Sequence, residues 1–282
     1  MAESPATTWT LSGFGDEIDP EPDMQAAVLL ALGARHIEVR SAWGVNVADF
    51  TDALTVRLRR VLDARSIAVS AVASPIGKVD VALPVEHEVE RLRRVIRVAD
   101  GLGARYIRIF SFYRAAGHSH DDVRDAVLER MAALAAEAEP AGVVLLHENE
   151  KEIYGDTPDR VLDLVESVGS PALRLAWDNA NFVQVGVRPF TDGYALLRPY
   201  LEYLQVKDAI AGTGEVVPAG HGDGELLETV TALRADGYAG FASLEPHLAS
   251  AHELGGFSGP AAFGDAARAF ADLTRRIGVH LA

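Results

Sequence analysis

The chain has 282 residues, 49% of them hydrophobic and 24% charged, with no cysteine and a formal net charge of −15. This is the composition of a globular protein able to bury a sizeable core, and it excludes disulfide frameworks, thiolate nucleophiles and cysteine metal sites. The negative surplus argues against a nucleic-acid backbone or an anionic membrane as partner, since either is repelled over most of the surface.

The opening MAESPATTW has neither the basic segment nor the apolar run of a secretory leader. No stretch reaches the roughly 18 apolar residues of a membrane span, so a cytoplasmic protein is expected. The first β-rich run is TLSGFG at 10–15. A helical pattern then closes on Leu32-Gly33, where glycine suits the left-handed position after a helix, and RHIEVR follows at 35–40. IAVSAVAS at 67–74 is the third run. The amphipathic EHEVERLRRVIRVADGLG (86–103) leads into RYIRIF at 105–110. Here LGARYIRIF (102–110) repeats LGARHIEVR (32–40) at an offset of 70 residues. That is about two strand-plus-helix units of a barrel of roughly 250 residues.

A second amphipathic segment, DDVRDAVLERMAALAAEAE (121–139), precedes VVLLHE at 143–148. The remaining runs are LRLAWD (173–178), YLQVKD (203–208) and GFASLE (240–245), which makes eight. Strands alternating with helices predict a parallel sheet with right-handed crossovers, and eight repeats can close it. The expected fold is therefore an α/β (β/α)8 TIM barrel, a single domain over residues 1–282. A doubly wound open sheet competes, but no Gly-rich phosphate loop follows the first strand and no linker divides the chain.

Chemistry in such a barrel belongs at the strand C-terminal ends. Four successive apolar strands end in groups with oxygen ligands: Glu148, Asp178, Gln205 and Glu245. A polar residue at one strand end is ordinarily a helix cap, a loop hydrogen bond or a surface charge. Four in order on strands five to eight are harder to explain that way. Three carboxylates converging near the barrel axis repel one another, and a divalent cation resolves the repulsion.

LLHENEKEIYGDTPD, LAWDNANFVQVG, YLQVKDA, PAGHGDGEL and GFASLEPHL resemble the successive motifs of the sugar phosphate isomerase/epimerase superfamily, which is similar to xylose isomerase in its TIM barrel. The likeness begins with GFGDEIDP and EVRSAWGVNV and covers nearly the whole chain. It implies that Glu148, Asp178, Gln205 and Glu245 hold a divalent metal, and that Glu148 and Glu245 remove and return a substrate proton. Two positions depart from the common pattern. Gln205 stands where histidine is frequent, giving an all-oxygen site that favours Mn²⁺, with Mg²⁺ or Co²⁺ as alternatives, over Zn²⁺. Asn181 stands where many relatives carry a histidine three residues after the aspartate, and it can hydrogen-bond a hydroxyl but not shuttle a proton.

The activity implied is isomerisation or epimerisation of a keto sugar or related polyol, with the metal polarising the carbonyl beside the C–H that loses its proton. Expected substrate contacts are Arg40, Trp43, Asn181, Lys207, His221 and His247. For Arg40 an internal pair with Glu38, for Lys207 a salt bridge and for Trp43 simple packing are the alternatives. His147 either supports the site or faces away from it. Other readings are a lyase or dehydratase of the inosose type, a C-glycoside deglycosidase with a partner subunit, and a non-catalytic sugar-binding subunit. An AP endonuclease would need a basic groove, which the charge opposes. Barrels of this kind often pair, so a homo-oligomer is left open.

Overall fold

The alternation of side chains along each strand decides what the interior contains. The computed structural model describes residues 7–114, 117–252 and 255–282. Its barrel strands are β1 (Thr7–Gly13), β2 (His36–Val39), β3 (Ala68–Ala73), β4 (Tyr106–Ile109), β5 (Val144–Glu148), β6 (Leu173–Asp178), β7 (Leu201–Val206) and β8 (Phe241–Leu244). They are joined by helices α1 (Pro22–Ala31), α2 (Asp52–Ala64), α3 (Val85–Leu102), α4 (His120–Ala141), α5 (Pro158–Val168), α6 (Asn179–Gln184) and α7 (Leu226–Ala235). Helix α8 (Gly259–Arg276) and a short strand β9 (Val279–Leu281) end the chain.

All eight strand runs read from the sequence are strands here, each pairing in parallel with its neighbours from β8 round to β2. A parallel bridge between Phe14 and Glu38 carries the ring from β1 to β2. This is the expected TIM barrel. The sequence reading did not include β9, which pairs with the first half of β1 on the edge opposite β8 and so lines the seam at its base. Three residues, Val279–Leu281, are too short for a periodic signal.

Two layers of apolar side chains build the wall. Outward residues such as Ile37, Ile107, Leu145, Leu175, Leu204 and Leu244 pack against Leu29, Leu58, Leu92, Leu134, Leu164 and Phe270 of the helices. Inside, Ala71, Val144, Leu146, Ala176 and Tyr203 form a smaller cluster in the lower barrel. Helix boundaries follow local chemistry. The repeated Leu-Gly ends α1 and α3 with Gly33 at φ 90 and Gly103 at φ 71, a region that residues with a Cβ avoid. Helix α4 opens on a capping box between Ser119 and Asp122. No helix among the described residues is long and apolar enough to cross a membrane.

Candidate active site

The inward row of each strand changes from apolar to charged as it climbs. On β5, Val144 and Leu146 point into the barrel and Glu148 continues the row, whereas Leu145 and His147 face the helices. By the same alternation Asp178 follows Ala176, Gln205 and Lys207 follow Tyr203, and Arg40 follows Glu38. Arg108, two residues after Tyr106 on β4, belongs to this upper layer as well. The whole group is out of contact with solvent: Glu148, Asp178, Gln205, Glu245, Lys207, Arg108, Arg40 and Glu38 are all buried. Burying ions costs several kcal/mol each, so the apolar sleeve has to offset a site that is stable only if its charges are paired.

They are paired by cations from neighbouring strands. Lys207 Nζ lies 2.8 Å from Asp178 Oδ2 and 3.1 Å from Glu245 Oε2. Arg108 Nη1 sits between the two glutamates, 3.0 Å from Glu148 Oε2 and 3.4 Å from Glu245 Oε1. Arg40 reaches Glu245 Oε1 at 3.3 Å and Asp16 Oδ2 at 2.8 Å, and donates to the Gly256 carbonyl at 2.8 Å. His247 Nε2 is 3.1 Å from Glu17 Oε1 and 3.4 Å from Glu245 Oε1. The repulsion anticipated among three bare carboxylates is thus relieved in large part by the chain's own side chains.

These neighbours make the two glutamates unequal. Burial pushes the Glu148 carboxyl up to about 8, against the pull of Arg108. Burial alone would also raise Glu245, but Lys207, His247 and Arg108 outweigh it and hold that group well below the usual carboxylate range. Asp178 is raised to about 6, burial prevailing over Lys207. Lys207 stays protonated, since Asp178, Glu245, Glu148 and Glu150 oppose the effect of its burial. His247 is carried up to about 9 because Glu245 and Glu17 overcome its burial.

The strand-end polar groups also set the local backbone. Asp178 Oδ1 accepts from the Asn181 backbone N–H and caps α6, leaving Oδ2 for the site. Asn149 clamps β5 to β6 by donating to the Asp178 carbonyl at 2.9 Å and accepting its N–H at 3.0 Å. Asn181 donates to Glu148 Oε1 at 3.0 Å, which fixes that carboxylate from the side opposite Arg108.

A cation would find suitable donors here. Glu148, Asp178 and Glu245 each offer an oxygen within 4.8 Å of the others. Gln205 Oε1 is buried without a hydrogen-bond partner, an acceptor left open on the same layer. Glu17, Glu245 and His247 form a second group with ligand atoms as close together, but there His247 serves as the cation.

Of the residues singled out in the sequence, Glu148, Asp178, Gln205, Glu245, Lys207, Arg40, Asn181 and His247 are brought together. Arg40 pairs with Asp16 and Glu245, not with Glu38. Trp43 is engaged on the flank, with the Arg57 guanidinium 3.9 Å above its ring. His221 is exposed on a loop pinned beneath it, where Asp208 accepts the backbone N–H groups of Gly220, Gly222 and Gly224. His147 faces outward and braces the loop after β5: Ser111 Oγ lies 2.9 Å from its Nε2 and accepts the Gly155 N–H at 2.7 Å. The sequence reading missed Arg108, Asp16 and Glu17. Arg108 was detectable, as the lone charge inside YIRI with the parity of Tyr106; the two acids lie past β1 in a single 3-10 turn, Gly15–Glu17, too short for a periodic signal.

Comparison with known proteins agrees with this fold. Residues 26–273 match the family model described as xylose isomerase-like TIM barrel. A 2-epi-5-epi-valiolone 7-phosphate 2-epimerase from Actinoplanes sp. is 33% identical over 181 residues, 63% of this chain and 64% of that protein, so the match spans less than two thirds of the relative. The crystal structure of a D-tagatose 3-epimerase-like protein superimposes with a TM-score of 0.77 at 15% identity, over 95% of this chain and 98% of that one. A xylose isomerase-like TIM barrel protein from Mycobacterium smegmatis, in complex with magnesium, gives 0.68 at 19% identity, over 96% and 98%. At such identities the two structures speak for the fold.

Proposed function

This chain belongs to the xylose isomerase-like TIM barrel family, and on that premise we propose that it is a divalent-metal-dependent isomerase or epimerase of a keto sugar or related polyol. The observation that carries the reading is the convergence of Glu148, Asp178 and Glu245 beside the unpartnered Oε1 of Gln205. These four would hold the ion, and an all-oxygen set favours Mn²⁺, with Mg²⁺ or Co²⁺ as alternatives. When bound, the metal supplies Lewis-acid stabilisation of the charge that gathers on the carbonyl oxygen as the neighbouring C–H proton leaves.

The chain's own groups move that proton. Glu245, held ionised by Lys207, Arg108 and His247, is the base that takes it from one face of the substrate. Glu148, on the other side of Arg108 from Glu245, returns a proton from the other face. Return to the same carbon inverts its configuration; return to the neighbouring carbon on the face it left, with the hydroxyl proton passing to the former carbonyl oxygen, exchanges ketose and aldose. Arg108, between the two glutamates, keeps their spacing; Asn181 fixes the far oxygen of Glu148. We assign contacts with substrate oxygens to Lys207 and His247, which border Glu245, and to Arg40 behind them. The 33% identical relative is an epimerase, which favours inversion over the other outcomes.

The test is NMR in D₂O with Mn²⁺ present, across ketohexoses, ketopentoses, hydroxypyruvate and inososes. Deuterium entering one carbon with inversion or carbonyl transfer is expected. Loss of water from the labelled compound would make the protein a lyase. Absence of exchange from every compound, with Mn²⁺ demonstrably bound, would refute the enzyme reading and leave a sugar-binding role.

A further inference from the structure

One layer below the carboxylates, a fully buried acid has no place in the mechanism above. Glu38 lies on β2 across the barrel from β7, and its carboxylate meets the side-chain amide of Gln205: Nε2 is 3.0 Å from Oε1 and 3.3 Å from Oε2. Building on the metal reading, we propose that Glu38 is a positioning residue that turns the Gln205 amide so that its oxygen, not its nitrogen, faces the ion.

The argument is one of matching donors to acceptors. A carboxamide has nearly the same shape after a half-turn about its last bond, so packing alone barely chooses which end points up. Only the oxygen can ligate a cation, because the amide nitrogen has no free lone pair. Both Glu38 oxygens accept here, from the Gln205 amide and the Tyr203 hydroxyl, so the carboxyl group bonds to the NH₂ end and disfavours the oxygen. Glu38 therefore draws Nε2 down and leaves Oε1 in the layer of Glu148, Asp178 and Glu245, where it is buried without a partner. An acceptor left in that state is destabilising, an orientation that makes sense when a cation completes it.

Glu38 is itself anchored. The Tyr203 hydroxyl lies 3.0 Å from Glu38 Oε2 and 2.9 Å from Ser70 Oγ, and Ser70 Oγ is 2.6 Å from Ser12 Oγ. This chain of contacts ties the carboxylate to β1, β3 and β7. It is polar order in the barrel interior that packing would not require, directly under the one neutral ligand.

The experiment measures Mn²⁺ affinity of the full chain by calorimetry, together with the melting temperature of the metal-free protein. Glu38→Gln can donate as well as accept, and it loses the selection; Mn²⁺ Kd is expected to rise by about 10- to 100-fold, the usual effect of losing the partner of a metal ligand. Because Glu38 acts through Gln205, adding Glu38→Gln to Gln205→Ala should change Kd by less than about twofold more. Tyr203→Phe, which removes one anchor of Glu38 but leaves its contact with Gln205, should raise Kd by clearly less than Glu38→Gln does. Should Glu38→Gln fail to fold, Glu38→Asp keeps the charge but withdraws it from the amide, with the same direction expected. Unchanged affinity in Glu38→Gln or Glu38→Asp overturns the assignment, as does an undiminished effect in the Gln205→Ala background or an equal loss in Tyr203→Phe. A wild-type protein that takes up no Mn²⁺ removes the metal reading and this assignment together, a result distinct from the others.

Discussion

Replacing Lys207 with methionine should make the protein bind a divalent cation more tightly. The ammonium contacts Asp178 at 2.8 Å and Glu245 at 3.1 Å, two of the carboxylates proposed as ligands, with every partner buried. At an effective dielectric near 20, unit charges about 3 Å apart attract by roughly 5 kcal/mol before desolvation is counted. Removing one member of such a buried pair costs about 3–5 kcal/mol net, because the carboxylates stay buried and unpaired. That loss falls on the metal-free protein. In the loaded protein the ion takes over the same oxygens, and the repulsion between ion and ammonium is gone. The two forms are linked, so each 1.4 kcal/mol by which the variant gains more than wild type from metal is about tenfold in affinity. Urea unfolding of Lys207→Met without metal should show the deficit, and calorimetry should show Mn²⁺ binding at least about tenfold tighter. An affinity equal to or weaker than wild type would refute the idea that lysine and ion share these carboxylates.

Glu245→Gln and Glu148→Gln should each keep the fold and lose solvent-deuterium exchange by about two or more orders of magnitude; full exchange in either removes that residue from proton transfer. Burial holds the His147 imidazole at about 3, far below its ordinary 6.5, so the unfolded chain takes up the proton first and stability falls as pH drops from 6.5 towards 3. Between pH 6.5 and 4.5 this amounts to roughly 2 kcal/mol; His147→Gln should lose less stability than wild type over that interval in urea titrations, and equal losses would contradict the buried neutral state. Gly155→Ala would drive a Cβ into His147 Cε1, so a melting point lowered by several degrees is expected, with an unchanged one excluding that close approach.

The barrel was legible because strand and helix periods alternate eight times, and the site because parity carries a strand's last polar residue inward. Glu148, Asp178, Gln205 and Glu245 stand out as the polar ends of four successive apolar strands, and the alternation along β5 turns His147 outward. Parity says which way a side chain points but not what it meets. Arg108 enters from a strand whose end lacks an acid, so a search for oxygen ligands passed over it. Glu38 looked like a partner for Arg40, two residues away on the same face, yet the two sit in different layers: Arg40 reaches up to Glu245 and Glu38 reaches across to Gln205. Such pairings are set by the barrel's stagger, which no local pattern encodes. Trp43 and His221 were inferred from position in loops, where sequence gives residue type without direction.

A charge count joins these observations. Among the described residues, Asp16, Glu17, Glu38, Glu148, Glu150, Asp178 and Glu245 face or border the upper interior, seven carboxylates linked by ion pairs or shared fields. Against them stand Arg40, Lys78, Arg108, Lys207 and a protonated His247, five cations. The difference of two negative charges (7 − 5) is felt where the cations are fewest: Glu38, Glu148 and Asp178 are all raised by burial that their neighbours do not fully offset. Protonation of two of those groups would balance the interior, and so would one divalent ion. An ion would also satisfy Gln205 Oε1, which is buried without a partner. On the proposed metal reading, the arginines and Lys207 would lower the acidic charge of the interior to an amount that one divalent ion can neutralise.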